Sequence, residues 1–138
     1  MKRKENWQIS FFNCIETNYN KSFEWGKWDC CKFSDACIKA MTGESLIPKE
    51  WQWETKIGAM KVIKNYGGTL SKSIENAAKN KNLKKIKKPF IQCGDLIIFK
   101  EDSELVGMYD GMSILAPSDD GLETKSPELA LRGWRIDG

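Results

Sequence analysis

The side chain in this sequence that is best suited to covalent chemistry is Cys30, which directly follows Asp29. Apolar residues recur at helical spacing from Cys30 onward, so the sequence predicts a helix that Asp29 caps and Gly43 ends. Free amide groups and the positive end of the helix dipole lie in the first turn of a helix, and both favour a thiolate. Cys30 is therefore a candidate nucleophile. In the alternative interpretation, Cys30, Cys31 and Cys37 are small apolar residues that fill the core, as most buried free cysteines do.

The absence of histidine limits what Cys30 can do, because histidine is the commonest general base and the usual partner of a catalytic cysteine. The five cysteines do not form the two spaced pairs that hold zinc, so we expect no metal and no cofactor. Their number is odd, and Cys30 and Cys31 are adjacent. This pattern predicts reduced thiols rather than a disulfide framework.

Length and composition indicate one domain over residues 1–138, with 41% apolar residues available for a core. No apolar run is long enough to predict a helix that spans a membrane. The basic opening residues are followed by polar residues 5–8 rather than by an apolar segment. We therefore expect synthesis in a cytoplasm and no export by a signal peptide.

The predicted elements are helices first and strands afterwards. Helices are predicted at residues 5–18, 30–43, 54–66 and 71–80, and strands at residues 95–99, 105–109, 112–116 and 134–136, with a turn or strand at 121–123. Asp110-Gly111 between two strands is a strong hairpin signal. This order predicts an α+β fold, with N-terminal helices packed on a small C-terminal antiparallel β-sheet.

A lysine-rich segment lies between Lys79 and Lys88 and has two interpretations. It is either a basic patch for a polyanion or an acidic partner, or a solvated connector. No aromatic residues alternate with the lysines, and the formal net charge is only +3. We therefore favour the connector and do not expect nucleic acid as a partner.

Aromatic residues near Cys30 suggest a groove. We predict that Trp25, Trp28, Asp29 and Tyr109 line it, with a sugar or a peptide as its occupant. The alternative is that the tryptophans are core residues, because tryptophan is strongly buried on average.

Four segments carry a resemblance to a known family: Trp25-Gly26, Asp29-Cys30, Cys93-Gly94-Asp95-Leu96-Ile97-Ile98-Phe99 and Leu105-Val106-Gly107-Met108-Tyr109. In this order they resemble the NlpC-type papain-like cysteine peptidases, which cut peptidoglycan stem peptides. The sequence is more similar still to a branch of small bacteriophage proteins with Phe-x-Trp-Gly-x-x-Asp-Cys-Cys near the start and a Trp-Arg-Ile or Trp-Arg-Val ending, as at residues 23–31 and 134–136. Genes of that branch tend to lie among tail-tip genes. The resemblance covers about residues 7–136 and implies an NlpC-like fold.

The same resemblance implies that the catalytic base is missing. In active members a histidine at the head of the second strand generates the thiolate, and a further polar residue orients it. The matching positions here are Leu105 and Leu115. Glu104, Tyr109 and Asp110 are candidate substitutes, although each is more simply a turn or surface residue.

The resemblance implies a structural or adaptor protein of the bacteriophage tail tip or hub, with a degenerate active site. Such a protein would be made in the host cytoplasm and incorporated in the virion tail, with other tail proteins and peptidoglycan as expected partners. One alternative is a peptidoglycan endopeptidase in which Cys30 attacks a peptide bond with help from a base other than histidine. Another is an intracellular phage factor that blocks a host enzyme.

Overall fold

Four helices precede a six-stranded antiparallel sheet in the computed structural model, which describes residues 1–137. The elements are α1 (Trp7–Thr17), α2 (Cys30–Thr42), α3 (Lys56–Tyr66), α4 (Leu70–Asn80), β1 (Lys84–Lys87), β2 (Leu96–Lys100), β3 (Glu104–Tyr109), β4 (Ile114–Ser118), β5 (Gly121–Lys125) and β6 (Ala130–Arg135). Short 3₁₀ turns at Lys88–Phe90 and Pro127–Leu129 precede β2 and β6. The predicted α+β class, with N-terminal helices and a C-terminal antiparallel sheet, is confirmed.

The helices begin and end where side chains satisfy their free backbone groups. The Asp29 carboxylate caps α2, and Gly43 ends it with a φ of 84°, a left-handed conformation that favours glycine. Thr55 and Thr69 cap α3 and α4 through their hydroxyl oxygens. The predicted limits of α2 are therefore confirmed.

The last strand of the chain lies inside the sheet. The strand order is β1-β6-β2-β3-β4-β5, so β6 pairs with both β1 and β2. The predicted hairpin is present: the amide of Asp110 donates a hydrogen bond to the carbonyl of Ser113, and β3 pairs with β4. The strand after this turn begins at Ile114 rather than at residue 112, because Met112 lies on the turn and is 80% exposed.

The sheet has one face against the helices and a second apolar face. Val106 and Met108 belong to the helix-side core together with Phe33 of α2. Leu105 and Tyr109 pack instead on the second face, against a cluster that includes Phe99 and Ile114. Because strand side chains alternate, neighbouring residues of β3 lie in different clusters.

The expectation for the lysine-rich segment needs correction. The lysine-rich segment is not simply a connector, because Lys84–Lys87 forms the edge strand β1 and buries Ile86 between exposed lysines. In α3, Ile57 and Met60 are 69% and 59% exposed, although their spacing is that of a buried helix face. In α1, Phe11 is fully buried, whereas Trp7 is only partly buried.

A buried carboxylate joins both ends of the chain to the sheet. Asp95 is fully buried and accepts hydrogen bonds from the Gln92 amide at 2.8 Å and from Nε of Arg135 at 2.6 Å. The Arg3 guanidinium lies 4.0 Å from the same carboxylate, and its Nε donates a hydrogen bond of 2.9 Å to the carbonyl of Ile136. Asp95 and Arg135, which lie in two of the motif segments, are therefore structural partners.

Within residues 1–137, none of the helices has the length and apolar character needed to cross a membrane.

Candidate functional site

The geometry of the site begins with Asp29, whose side chain is only 1% exposed. One carboxylate oxygen accepts the amide of Lys32 at 2.9 Å, which caps α2. The other oxygen accepts the amide of Gly26 at 3.0 Å and the indole Nε1 of Trp53 at 2.6 Å. Asp29 thus ties the preceding turn and Trp53 to the first turn of α2, and with these three bonds it holds Cys30 in place.

The turn before Asp29 requires glycine at position 26. Gly26 has a φ of 78°, and a Cβ added there would lie 2.5 Å from the carbonyl oxygen of Trp53. A side chain at this position would therefore strain the backbone and separate the turn from Trp53.

Cys30 is the first residue of α2 and Cys31 is the second. A hydrogen bond from the Cys31 thiol lowers the pKa of Cys30, and the backbone amide of Val106 acts in the same direction, whereas burial and the charge of Asp29 oppose them. The same hydrogen bond, with burial, raises the pKa of Cys31 well above its ordinary value. Cys30 is therefore the more acidic thiol of the pair.

A cavity of about 510 Å³ opens in front of this thiol pair. We call it the inner cavity. Its wall consists of the first turn of α2, one side of α3, the start of α4, the start of β3, and the side chains of Trp25, Trp51 and Trp53. The lining is predominantly apolar, with Ala59 of α3 and Ile74 of α4 among its residues.

A second, more polar depression of about 1000 Å³ adjoins the inner cavity. We call it the outer cleft. Trp25, Trp51 and Trp53 line both spaces, and the remaining wall of the outer cleft carries charged side chains such as Lys32 and Lys49. The three indoles therefore form a boundary with an apolar side and a polar side.

The structure brings three of the predicted site residues together and places two elsewhere. Trp25, Asp29 and Cys30 line the inner cavity. Trp28 is 5% exposed and packs in the core, with its ring centroid 5.7 Å from that of Phe33. Tyr109 lies with the second apolar cluster of the sheet. The predicted groove is corrected accordingly: Trp28 and Tyr109 are not part of its wall.

Leu105 and Leu115 are the two positions that match the catalytic partners in the resemblance, and both have apolar surroundings. Leu115 is buried in the helix-side core. Leu105 lines the inner cavity and packs against the second cluster, so the residues of β3 on the helix side are its neighbours Glu104 and Val106. Strand alternation therefore places the side chains of Glu104 and Val106 on the helix side of the sheet, while Leu105 packs with the second cluster and also contributes to the cavity wall.

The candidate substitute bases are engaged in other contacts. Glu104 lines the inner cavity, but one of its carboxylate oxygens accepts the amide of Ser71 at 3.2 Å in the first turn of α4. Asp110 accepts the amides of Met112 and Ser113 at 2.9 and 2.7 Å, so its carboxylate stabilises the β3–β4 turn.

The arrangement provides an acidified thiol beside an apolar cavity. The Asp29 carboxylate, next to Cys30 in the chain, is occupied by three hydrogen-bond donors. Peptide cleavage also needs a group that protonates the leaving amine. Glu104 is a further carboxylate in the wall of the cavity that Cys30 lines.

Sequence reasoning missed the contribution of α3 and Trp53 to the site. Trp53, Lys56, Ala59 and Met60 all line the inner cavity, although they lie well beyond α2 in the sequence. The sequence carries no local signal for this contribution, because these residues reach the cavity of Cys30 only through the tertiary fold.

The chain matches a known protein family. Residues 2–136 match the model of a family described as "Domain of unknown function (DUF6950)". No curated protein matches the sequence.

Proposed function

The chain belongs to the DUF6950 family, whose description assigns no activity, and from its site we propose that it is a non-catalytic binding domain with a degenerate NlpC-like active site. In this proposal the inner cavity holds a ligand, and the protein serves as a structural or adaptor part of a bacteriophage tail tip or hub.

One observation carries the non-catalytic part of the proposal: the carboxylate of Asp29, next to Cys30, is occupied by three hydrogen-bond donors and does not serve as the base that a cysteine peptidase needs. The sequence contains no histidine, and Leu105 and Leu115 occupy the positions that match the catalytic partners. General acid–base catalysis contributes about 10²–10⁴-fold to rate, so hydrolysis without it should be negligible.

The tail location rests on the resemblance of residues 23–31 and 134–136 to small bacteriophage proteins. Synthesis in the host cytoplasm, assembly into the virion tail, and contact with other tail proteins or peptidoglycan all follow from that resemblance. Mass spectrometry of purified virions and of isolated tails tests this part, since the proposal requires the protein in both preparations.

Incubation with peptidoglycan stem peptides tests the lack of catalysis. We expect the wild-type protein and Cys30→Ala to give the same product profile by mass spectrometry, because neither has a working base. Cleavage by the wild type that Cys30→Ala abolishes would overturn the proposal.

The second candidate is a peptidoglycan endopeptidase with Glu104 as its base. Glu104 and Cys30 line the same cavity, and the pKa of Cys30 is lowered by the Cys31 hydrogen bond. In this mechanism the amides at the start of α2 would stabilise the oxyanion. This mechanism predicts that the wild-type protein cleaves stem peptides, that Glu104→Gln abolishes the cleavage, and that Asp110→Asn retains it.

A further inference from the structure

A second pair of cysteines lies where the first two helices pack against each other. Cys14 of α1 is partly buried, and Cys37 of α2 is fully buried. Both belong to the helix-side core, and neither is among the residues that line the inner cavity or the outer cleft. These two thiols are therefore separate from the site around Cys30.

Helices α1 and α2 run antiparallel, with the start of α1 beside the end of α2. The amide of Lys4, just before α1, donates a hydrogen bond of 2.8 Å to the carbonyl of Met41. The side chains of Trp7 and Met41 also reach the same point beside Gly94. Trp7 and Met41 thus mark one common end of the helix pair.

This packing brings Cys14 and Cys37 to the same level. Cys14 lies about 10 Å from Trp7 along α1, and Cys37 lies about 6 Å from Met41 along α2, at 1.5 Å per residue. Side chains tilt toward the N-terminus of their own helix, so in an antiparallel pair the two thiols lean toward each other. A side-chain hydrogen bond joins them.

The two thiols differ in acidity in the way that an attacking and a resolving cysteine do. The hydrogen bond from Cys37, aided by one of 3.8 Å from Nδ2 of Asn18, outweighs burial and lowers the pKa of Cys14 to about 7. Burial raises the pKa of Cys37 well above its ordinary value, and the bond to Cys14 adds to the rise. At neutral pH, Cys14 therefore supplies a partly exposed thiolate, and Cys37 stays a thiol.

We propose that Cys14 and Cys37 form an oxidation site, at which hydrogen peroxide converts the two thiols into a disulfide between α1 and α2. The site goes beyond the proposed function and does not depend on it, because neither cysteine lines the inner cavity.

The reaction has two steps. The Cys14 thiolate attacks one peroxide oxygen, so that an S–O bond forms, the O–O bond breaks, and the second oxygen leaves as water after it takes up a proton. The Cys37 sulfur then attacks the sulfur of the Cys14 sulfenic acid. The S–S bond forms, the S–O bond breaks, and the departing hydroxide takes the Cys37 proton. Two thiols thus give up two electrons and reduce one peroxide to two waters.

The disulfide would close the chain between residues 14 and 37. This stretch contains the Gly26 turn and the first turn of α2, with Asp29 and Cys30. A crosslink restricts the unfolded chain, so oxidation should raise the Tm of the protein by about 5–15 °C.

Peptide mapping of the oxidised wild-type protein tests the proposal. The reduced protein is treated with a small excess of hydrogen peroxide, blocked with N-ethylmaleimide and digested with trypsin without reductant. Trypsin places Cys14 in residues 5–21, Cys37 in residues 33–39, and Cys30 with Cys31 in residues 28–32. We expect peptide 5–21 linked to peptide 33–39, and dithiothreitol should separate them. Any other pattern of oxidation, or none, would overturn the proposal.

Thermal unfolding with two variants tests the crosslink in the folded protein. Cys14→Ser should show no rise in Tm on oxidation, whereas the matched control Cys31→Ser, which removes another partly buried cysteine, should keep the rise of the wild type. An equal rise in Cys14→Ser and in the wild type would assign the effect to other cysteines and overturn the proposal. Peptide mapping of the wild type decides the matter if Cys14→Ser does not fold.

Discussion

At the scale of single residues, the site depends on a carboxylate with three donors and on a thiol with another thiol beside it. Asp29 is a structural group, and Cys30 is the group that an occupant of the inner cavity meets. Their adjacency in sequence made both predictable, because an N-cap and the first helical residue are local features.

Replacement of Asp29 by alanine should lower the free energy of unfolding by about 2–4 kcal/mol, because it removes a helix cap and leaves the buried indole N–H of Trp53 unpaired. Urea unfolding measures the change. Trp53→Phe is the matched control, since it removes one of the three bonds and should cost about 1–2 kcal/mol. A loss for Asp29→Ala no larger than that of the control would contradict the structural role.

Alkylation by iodoacetamide should show Cys30 reacting faster than Cys31 at neutral pH. The lowered pKa of Cys30 leaves more thiolate at a given pH, and the raised pKa of Cys31 leaves less. Cys31→Ala removes the hydrogen-bond donor, so it should shift the pH midpoint of Cys30 labelling upward. Mass spectrometry resolves the cysteines, and an unshifted midpoint would show that Cys31 does not acidify its neighbour.

At the scale of elements, the start of β2 and the end of β6 are held together by the pair between Asp95, just before β2, and Arg135. Both lie in motif segments singled out from the sequence, yet neither signalled a salt bridge, because the pairing depends on β6 lying beside β2.

Asp95→Ala should reduce the free energy of unfolding by about 3–5 kcal/mol, since it leaves the partly buried Arg135 guanidinium without its fully buried partner. Lys125→Met, which breaks the more exposed pairs with Glu101 and Glu123, should cost only about 0–1 kcal/mol. Chemical denaturation of both variants provides the comparison, and equal losses would rule out a special role for Asp95.

Elements with local signals could be predicted from the sequence. Elements that depend on pairing with a distant segment could not. The limits of α2 follow from Asp29 and Gly43, and the β3–β4 turn follows from Asp110-Gly111. Strand β1 was not predicted because its lysines indicate an exposed segment. Its only buried residue is Ile86, which is paired only when β6 lies beside β1.

The same distinction applies to the site. Trp25, Asp29 and Cys30 lie close together in the sequence and were predicted, whereas Trp53 and the α3 residues come from a later segment. Burial of Trp28 and the outward position of Tyr109 depend on packing and on strand alternation, which motif order does not specify.

At the scale of the whole molecule, the N-terminal segment joins α2 to the sheet. The Lys4 amide donates a hydrogen bond of 2.8 Å to the carbonyl of Met41, near the end of α2. Arg3 bonds to the carbonyl of Ile136, and its guanidinium carbon lies 4.0 Å from the ring centroid of Trp7. These contacts connect the helical half and the strand half through a short stretch of chain.

Arg3→Ala should lower the free energy of unfolding by about 1–3 kcal/mol, because a charge-assisted hydrogen bond and a cation–π contact disappear together. Lys2→Ala, at a neighbouring exposed position, should change it by less than about 0.5 kcal/mol. Thermal and urea unfolding measure both variants, and a similar small change in the two would show that the segment does not hold the halves together.

The contact between Arg3 and Ile136 also determines what kinds of re-engineered chain this fold can accept. Residues 3 and 136 lie side by side, so a linker of a few residues can close the backbone into a ring, and an exposed turn such as the one between β4 and β5 can supply new termini. In the unaltered chain, fluorophores placed near both ends would transfer energy efficiently when the protein is folded and poorly when it is unfolded.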